Sequence, residues 1–289
     1  MSSNSCYYEL GEKMVLEKFK ITGKVCLITG GAGLLGQKHA ETVIEGGGIP
    51  VLLDISQEAL EKAKVSLDEK YPAAETVIYK TDITSREALE LVRDDLLEKY
   101  GHIDILINNA ANNPKVEDKG ENFGNIRFDN FPLLTWNADI LVGLTGAFLC
   151  AQVFGTVMEE QQSGVILNIS SDLGIIAPDQ RIYRKDGLDE KDQTIKPVTY
   201  SVIKHGLLGL TKYLATYWAD KNIRVNAICP GGIFNGQDEQ FLGKLTNLIP
   251  MGRMADKDEY KATVLYMISD ASSYMTGSTV IVDGGRTCW

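Results

Sequence analysis

The chain has 289 residues, of which 44% are hydrophobic and 24% are charged, and its formal net charge is −10. These values are typical of a single globular domain of ordinary enzyme size, with enough apolar residues for a sizeable core. The acidic balance argues against nucleic acid or an anionic membrane as a partner, because both need a basic surface.

The five cysteines indicate a reducing compartment. They include no C-x-x-C motif and do not group with the three histidines, so neither a disulfide framework nor a zinc site is predicted. No apolar run approaches the roughly 18 residues of a membrane span, and residues 1–18 lack a signal-peptide core. We therefore expect a cytoplasmic protein without a metal or a membrane partner, with an N-terminal arm over residues 1–18 and one domain over residues 19–289.

Short apolar runs alternate with longer amphipathic segments along that domain. The predicted strands are 24–29, 49–54, 76–81, 103–107, 165–170, 223–229 and 279–282. The predicted helices are 34–47, 57–70, 85–100, 133–161, 200–220 and 257–270. This order predicts an α/β fold of the Rossmann type, a doubly wound parallel sheet of about seven strands with helices on both faces.

Two polar segments interrupt the alternation. Residues 111–130 follow the fourth strand and residues 177–199 follow the fifth, at the carboxyl ends where open α/β sheets bind ligands. Long loops in a compact domain often face a substrate, although some are only solvated excursions. In the second insertion Arg181, Arg184 and Lys185 are candidates for binding a substrate phosphate; the alternative is that they are solvated loop charges.

A glycine cluster predicts a nucleotide site. Gly30, Gly33 and Gly36 follow the first strand, where glycine lets the backbone approach a pyrophosphate at a helix N-terminus. Tight strand-to-helix turns need glycine in any case, so the argument depends on Asp54 at the end of the second strand. A carboxylate there accepts hydrogen bonds from the adenosine ribose and repels the 2′-phosphate of NADP, so NAD is the predicted cofactor. Helix capping, the alternative role for Asp54, suits Ser56 better.

Tyr200 and Lys204 are the candidate catalytic pair. They are four residues apart in a predicted helix, so they share one face. A free phenol has a pKa of about 10, and a neighbouring ammonium lowers it by stabilising the phenolate. Tyr200 could then take a hydroxyl proton while a hydride leaves the same carbon for NAD. The same spacing recurs at Tyr217 and Lys221, near a helix end with no serine-bearing strand before it, where we predict a structural role.

Together the motifs resemble those of short-chain dehydrogenases/reductases, in the same order, over about residues 20–285. They are residues 29–36, 82–83, 108–111, 168–171, 200–204 and 230–231. The resemblance implies that Tyr200 is the acid/base, that Lys204 also holds the nicotinamide ribose, and that Ser171 hydrogen-bonds the substrate oxygen. It implies cofactor contacts from Gly30, Gly33, Leu35, Gly36, Asp54, Asp82, Ile83, Asn109, Ala110, Ala111, Tyr200, Lys204, Pro230, Gly231 and Ile233. For Asn109, a structural bond to the turn backbone is an equal alternative.

One departure from the family pattern concerns the proton path. The family has an asparagine in the helix after the fourth strand, and Gly143 stands at that position here. The water-mediated relay from the lysine to solvent is therefore open to question. Gly143 could leave room for an extra water, or Asn112 or Asn113 could substitute for the missing amide.

There are three further departures. Leu34 stands where the family usually has glycine, Asn235 replaces a usual threonine with little loss expected, and Ser171 precedes Tyr200 by 29 residues, about twice the usual spacing. Residues 29–36, Gly143, the long insertion and the C-terminal residues 284–289 together resemble oxidoreductases of bacterial flagellin and surface-sugar modification.

The sequence thus predicts an NAD(H)-dependent oxidoreductase that interconverts a secondary alcohol and a ketone on a sugar, polyol or sugar phosphate. The alternatives are a sugar-nucleotide epimerase or dehydratase that retains NAD, and a cofactor-binding protein without catalysis. The resemblance also implies a homo-oligomer, a tetramer or dimer, formed through helices 133–161 and 200–220 and the C-terminal strand. Cys288 and Trp289 would then lie at an interface, or form a frayed tail.

Overall fold

The computed structural model describes residues 14–112 and 127–289, in which seven strands form one parallel sheet. The strands are β1 (Val25–Thr29), β2 (Ile49–Asp54), β3 (Val77–Lys80), β4 (Ile105–Asn108), β5 (Gly164–Ile169), β6 (Ile223–Pro230) and β7 (Thr279–Val282). Their order is β3-β2-β1-β4-β5-β6-β7, and every neighbouring pair is parallel. The predicted doubly wound sheet is confirmed. The bounds of β2 and β7 are those predicted, and the other strands differ from the prediction by one or two residues at one or both ends.

The helices lie on both faces of the sheet. They are α1 (Leu34–Glu45), α2 (Gln57–Lys70), α3 (Arg86–Tyr100), α4 (Leu133–Ile140), α5 (Gly146–Gln161), α6 (Val198–Tyr217), α7 (Glu239–Thr246) and α8 (Lys261–Ile268). One core packs α3, α5 and α6 on the sheet, and the other packs α1, α2 and α8 on the opposite face.

Local signals explain where several helices begin and end. Ser56 accepts a hydrogen bond from the Ala59 amide at the start of α2, and Ser85 accepts one from the Ala88 amide at the start of α3. Each bond satisfies an amide that has no partner within the first turn of its helix. Gly101 ends α3 with a φ of 77°, a left-handed conformation that favours glycine.

The helix predicted over residues 133–161 contains a π-helical turn. Leu141–Thr145 joins α4 to α5, and Gly143 lies within this turn. Contrary to the expectation that no apolar run resembles a membrane span, Leu133–Gln161 is long and apolar enough to cross a bilayer. Half of its most apolar window is buried inside the protein, because α5 supplies much of one core. The expectation about the length of apolar runs was wrong, because a core helix can have the same length and composition as a membrane span.

The structure contains a helix that was not predicted. α7 packs against the 3-10 turn Gln180–Tyr183 of the second insertion, and together they form a small apolar cluster that is separate from the two main cores. Its buried members are Ile182, Leu245, Ile249 and Met254. The insertion is therefore anchored onto the segment that follows β6. Of the first insertion, residues 113–126 lie outside the described residues, as do residues 1–13 of the N-terminal arm.

Candidate active site

The candidate cofactor site lies where the strand order reverses, between β1 and β4. Gly30 has a φ of 61°, and a Cβ on Gly36 would lie 2.2 Å from the Gly30 carbonyl oxygen, so both positions require glycine. Gly33 is the N-cap of α1, and no side chain caps this helix. The first turn of α1 therefore offers backbone amides without a side-chain cap and a positive dipole end beside the glycine turn, a cradle that fits a pyrophosphate.

Asp54 lies beside that turn at the end of β2. Its carboxylate accepts hydrogen bonds from the Ala32 amide at 3.3 Å and from the Ser56 amide at 3.2 Å. The hydroxyl of Ser56 caps α2, so Asp54 is not needed as the cap. The carboxylate is thus held at the edge of the cradle, where it suits recognition of a ribose.

Asn109 has the structural role that was the alternative for it. Its side-chain amide donates to the carbonyls of Thr29 at 3.0 Å and Gly30 at 3.2 Å. Its backbone amide, like that of Ala110, donates to the Thr29 hydroxyl. Asn109 therefore ties the end of β4 to the glycine turn, as the alternative interpretation predicted. A cofactor contact from Asn109 stays a prediction.

The other predicted cofactor residues surround the same edge of the sheet. Asp82 accepts hydrogen bonds from the Thr84 amide and hydroxyl, while Ile83 is only 7% exposed and packs against Gly146 of α5. After β6, Gly231 approaches Asp283 so closely that a Cβ would lie 2.8 Å from its Cα, and Ile233 pairs with Ala255. The remaining members, Leu35, Ala111 and Pro230, are partly buried or buried. Their cofactor contacts stay a prediction.

Lys204 is buried, with 5% of its surface exposed. Its Nζ donates to the Ile169 carbonyl at 2.8 Å and lies 5.7 Å from the centroid of the Tyr200 ring. Burial lowers the pKa of Lys204 to about 8, and the positive charge of nearby Lys196 lowers it further. Lys204 is thus a poorly solvated ammonium within reach of the phenol.

The pKa of Tyr200 is raised, which differs from the lowering expected from its lysine neighbour. Burial of the phenol is the main cause, and the negative charge of Asp172 adds to it, while a hydrogen bond with Ser171 acts in the opposite direction. In the protein alone, desolvation outweighs Lys204, whose ammonium is directed at a carbonyl. A lowered pKa therefore needs further positive charge at this site, such as an oxidised nicotinamide ring.

Two adjacent serines connect β5 to the candidate pair. Ser170 donates from its hydroxyl to the Lys204 carbonyl at 2.7 Å, which ties the end of β5 to α6. A Cβ on Gly174 would lie 2.4 Å from the Ser170 Oγ and 2.9 Å from the Lys204 carbonyl oxygen, so this close approach requires glycine. Ser171 donates to the Asp172 carboxylate at 2.8 Å and also lies beside Tyr200.

The structure adds charged residues that the sequence did not indicate. Lys196, just before α6, places its Nζ 3.8 Å from the centroid of the Tyr200 ring, and burial lowers its pKa to about 8. Arg286 forms an ion pair with Asp172 at 2.8 Å, and both are buried. A lysine preceding a proline and an arginine near the C-terminus carry no recognisable local motif, so only the fold reveals them.

The surroundings of Gly143 exclude one hypothesis about the missing asparagine. A Cβ at this position would lie 2.7 Å from the Cγ2 of Ile203, so Ile203 fills the space proposed for an extra water. Asn112 donates to the Asp139 carboxylate at 3.4 Å, and Thr199 donates to the same carboxylate at 2.6 Å. Asn112 is therefore linked to the residue before Tyr200. Asn113 lies outside the described residues.

Two of the basic residues of the second insertion, Arg181 and Arg184, pair with acids of the same loop. Arg181 forms an ion pair with Asp179 at 2.7 Å, and Arg184 forms one with Glu190 at 3.0 Å. Lys185 is exposed, and its backbone bonds the Gln193 side chain. This pairing supports the alternative interpretation, in which these charges stabilise the loop.

The second Tyr-x-x-x-Lys pair lies at the protein surface. Tyr217 is 58% exposed and stacks on Tyr213, and Lys221 pairs with Asp220 at 3.0 Å. Neither residue meets a buried serine or the glycine cradle. Within residues 14–112 and 127–289, no group of three His, Cys, Asp or Glu side chains is arranged to hold a metal ion.

Comparison with known proteins assigns the family. The family model described as short chain dehydrogenase matches residues 24–183, and the model described as enoyl-(acyl carrier protein) reductase matches residues 191–287. The NAD-dependent glycerol dehydrogenase of Listeria innocua is 33% identical over 276 residues, which cover 93% of this chain and 96% of that enzyme. The chain belongs to the short-chain dehydrogenase/reductase family. The resemblance inferred from the motifs is therefore confirmed, as is the class of dehydrogenases and reductases acting on CH–OH groups.

Two further similarities refine the position within the family. The post-translational flagellin modification protein A of Campylobacter coli is 29% identical over 265 residues, covering 92% of this chain and 98% of its own length. The solved structure of NAD+-bound xylitol dehydrogenase is similar with a TM-score of 0.77 and 29% identity, covering 92% of this chain and 100% of the other. Both NAD- and NADP-dependent enzymes occur among the relatives.

Proposed function

We propose that the protein is an NAD(H)-dependent oxidoreductase that interconverts a secondary alcohol and a ketone on a polyol or sugar. The observation that carries this proposal is that Tyr200, Lys204 and Ser171 lie close together. They lie at the carboxyl edge of the same sheet at which the glycine cradle follows β1. Relatives named as glycerol and xylitol dehydrogenases support the substrate class.

Tyr200, Lys204 and Ser171 each have a distinct role in the proposed reaction. NAD, when bound in the cradle, supplies the hydride acceptor. The Tyr200 oxygen takes the proton of the substrate hydroxyl in oxidation and returns it in reduction. The Lys204 ammonium stabilises the phenolate, since an opposite charge within a few ångströms favours the charged form. Ser171 holds the substrate oxygen next to Tyr200.

NAD rather than NADP is the cofactor we propose, and Asp54 carries that preference. Its carboxylate is fixed by the Ala32 and Ser56 amides, so it cannot easily turn away from a 2′-phosphate. In Asp54→Ala we expect kcat/KM with NAD to fall and kcat/KM with NADP to rise, changing their ratio by about a hundredfold, as lost hydrogen bonds and lost repulsion each contribute. A matched control is Asp68→Ala, a carboxylate on the outer face of α2. Equal use of both cofactors by the unaltered protein would contradict the assignment.

A substrate screen tests the reaction itself. The protein is offered polyols, sugars, sugar phosphates and nucleotide sugars with NAD, and formation of reduced nicotinamide is followed by absorbance. We expect turnover with neutral polyols or sugars, because Arg181 and Arg184, two of the candidate phosphate-binding residues, pair with acids of their own loop. Turnover of a nucleotide sugar without net cofactor reduction indicates an epimerase or dehydratase. Cofactor binding without turnover of any class indicates a non-catalytic protein.

We further propose a cytoplasmic homotetramer. All four described cysteines are free thiols, which suits a reducing compartment. The helices α4, α5 and α6 expose large apolar side chains, among them Leu134, which is 83% exposed, and β7 exposes Ile281. The other exposed apolar residues on these helices and the turn between them are Leu133, Leu141, Phe148, Val202, Tyr213 and Tyr217. Exposed apolar faces of this kind mark interfaces, and light scattering of the purified protein tests the state directly.

A further inference from the structure

A buried ion pair links the C-terminal segment to the residue after Ser171. The Nη1 of Arg286 lies 2.8 Å from the Oδ2 of Asp172, and the two residues are only 6% and 4% exposed. They are 114 residues apart in the chain. Neither charge is solvated, so each depends on the other, and removing one partner leaves an uncompensated buried charge.

The C-terminal segment is folded so that it delivers Arg286 to this position. Gly284 and Gly285 both have positive φ values, of 67° and 90°, which turn the chain back after β7. The Asp283 carboxylate holds the turn by accepting hydrogen bonds from the Gly285 and Thr287 amides at 2.8 Å each. Arg286 is thus placed by a defined turn.

The other oxygen of Asp172 acts on Ser171. It accepts the Ser171 hydroxyl at 2.8 Å and the Leu173 amide at 2.8 Å, while the Ser171 Oγ accepts the Leu173 amide at 3.1 Å. A serine hydroxyl has a single proton, and here that proton is directed at a carboxylate. The orientation of Ser171 therefore depends on the position and the charge of Asp172.

We propose that Arg286 is a positioning residue of the active site, which holds Asp172 in place and through it fixes the Ser171 hydroxyl and limits the negative charge that reaches Tyr200. This proposal rests on the proposed function. With Arg286 in place, Asp172 orients the Ser171 hydroxyl but shares its charge with a guanidinium, so its hold on the Ser171 proton is weak enough for a substrate oxygen to compete. Without Arg286, the bare carboxylate would retain that proton and oppose formation of the phenolate.

Several charged or titratable groups surround Tyr200. Asp172 lies on the turn after β5, Tyr183 and Lys196 belong to the second insertion, and Lys204 lies on α6. Behind these are Arg286, paired with Asp172, and Cys229 of β6, which faces Lys204. The lysine and arginine charges have the sign that stabilises a phenolate. The Asp172 carboxylate has the opposite sign and raises the pKa of Tyr200. Changing Asp172 or Arg286 must therefore shift the Tyr200 titration in opposite directions.

The test is a direct titration of Tyr200. The full chain is prepared with 3-fluorotyrosine at position 200, and its ionisation is followed by fluorine NMR in Arg286→Met, Asp172→Asn and the double variant. We expect the midpoint to rise by about one pH unit in Arg286→Met, because an unpaired carboxylate lies nearby, and to fall in Asp172→Asn. The double variant returns towards the unaltered protein, and Arg286→Lys, which keeps the charge, stays near it. Fluorotyrosine at position 71, at the end of α2 and outside the helices proposed to form the interface, is the reference and should not move in any variant.

A purely structural role predicts something else. Both single variants would then lower stability while leaving the titration of position 200 unchanged, or would move it in the same direction, and either result overturns the proposal. If Arg286→Met does not fold, the double variant still decides, since it must titrate above Asp172→Asn. The titration needs no substrate, so it is informative even if the alcohol screen fails. Where a substrate is found, Arg286→Met should lower kcat by at least tenfold, and Asp172→Asn added to it should restore part of the loss.

Discussion

The same motif occurs twice near helix α6, and its two copies have opposite environments. Tyr200 and Lys204 lie in the first two turns, where Lys204 is buried and both residues are close to Ser171. Tyr217 ends the helix at the surface, and Lys221 lies in the 3-10 turn that follows, paired with Asp220. Spacing alone therefore does not make a catalytic pair. The difference lies in desolvation, in the serine, and in the nearby cradle.

Desolvation matters because it changes the strength of the electrostatic interaction between each lysine and its tyrosine. At the surface, a lysine near a phenol is screened by water and salt, and its effect on the phenol is small. In the buried pair the same charge acts through a medium of lower effective dielectric, which increases its effect on the phenolate. The buried ammonium of Lys204 can therefore act on the ionisation of Tyr200 more strongly than a solvated ammonium could.

The difference between the two Tyr–Lys pairs is tested most directly by removing each phenol. Tyr200→Phe should lower kcat by about a hundredfold to ten-thousandfold, the usual contribution of a positioned acid/base, while NAD affinity changes little. Tyr217→Phe should retain activity within about twofold. Turnover of the accepted alcohol and cofactor binding by fluorescence measure the two effects separately. Retained turnover in Tyr200→Phe would mean that another group carries the proton.

Removing each lysine should have the next largest effect. Lys204→Met should reduce kcat/KM for oxidation by about tenfold to a thousandfold at neutral pH, because the phenolate loses an adjacent cation. The rising limb of the pH profile should move to higher pH, since the pKa of Tyr200 rises when the cation is removed. The deficit should narrow above pH 8, where Lys204, with a pKa of about 8, is itself losing its charge in the unaltered protein. Lys221→Met should leave both the rate and the profile unchanged.

Lys196 adds a further difference between the two pairs, because it places a cation over the ring of Tyr200. Its Nζ lies 3.8 Å from the ring centroid of Tyr200. A cation–π contact contributes roughly 0.5–2 kcal/mol, so Lys196→Met should lower kcat/KM about two- to thirtyfold below pH 8 and shift the rising limb upward. Lys191→Met, an exposed lysine of the same insertion, is the control. If both variants behaved alike, Lys196 would have no special relation to Tyr200.

The sequence predicted the fold and the central pair well, because both depend on local patterns. Alternating apolar runs specify the strands, and the i, i+4 spacing places Tyr200 and Lys204 on one helix face. Asp172 and Arg286 were not found, since their partnership joins positions 114 residues apart and has no periodicity or motif. The sequence could not decide between the two roles considered for Asn109, because the same side chain at the same place could contact a ribose or bond the Gly30 carbonyl.

The smallest predicted effect concerns the packing behind the buried pair. Gly143→Asn restores the residue typical of the family, yet its Cβ would lie 2.7 Å from Ile203, which sits between Tyr200 and Lys204 on α6. We expect the variant to lower the free energy of unfolding by about 1–3 kcal/mol through overpacking, with no gain in rate.

Two further variants distinguish overpacking from the general effect of an asparagine in a helix. Ile203→Ala should destabilise the protein by about 2–5 kcal/mol alone. In the double variant, the loss in free energy of unfolding should be smaller than the sum of the losses in the two single variants, because the asparagine fills the space that Ile203 leaves. Gly243→Asn, at an open and exposed position of α7, should change stability by at most about 0.5 kcal/mol. Additive losses in urea denaturation would show that Ile203 is not what excludes a side chain at position 143, and the missing amide would then need another explanation.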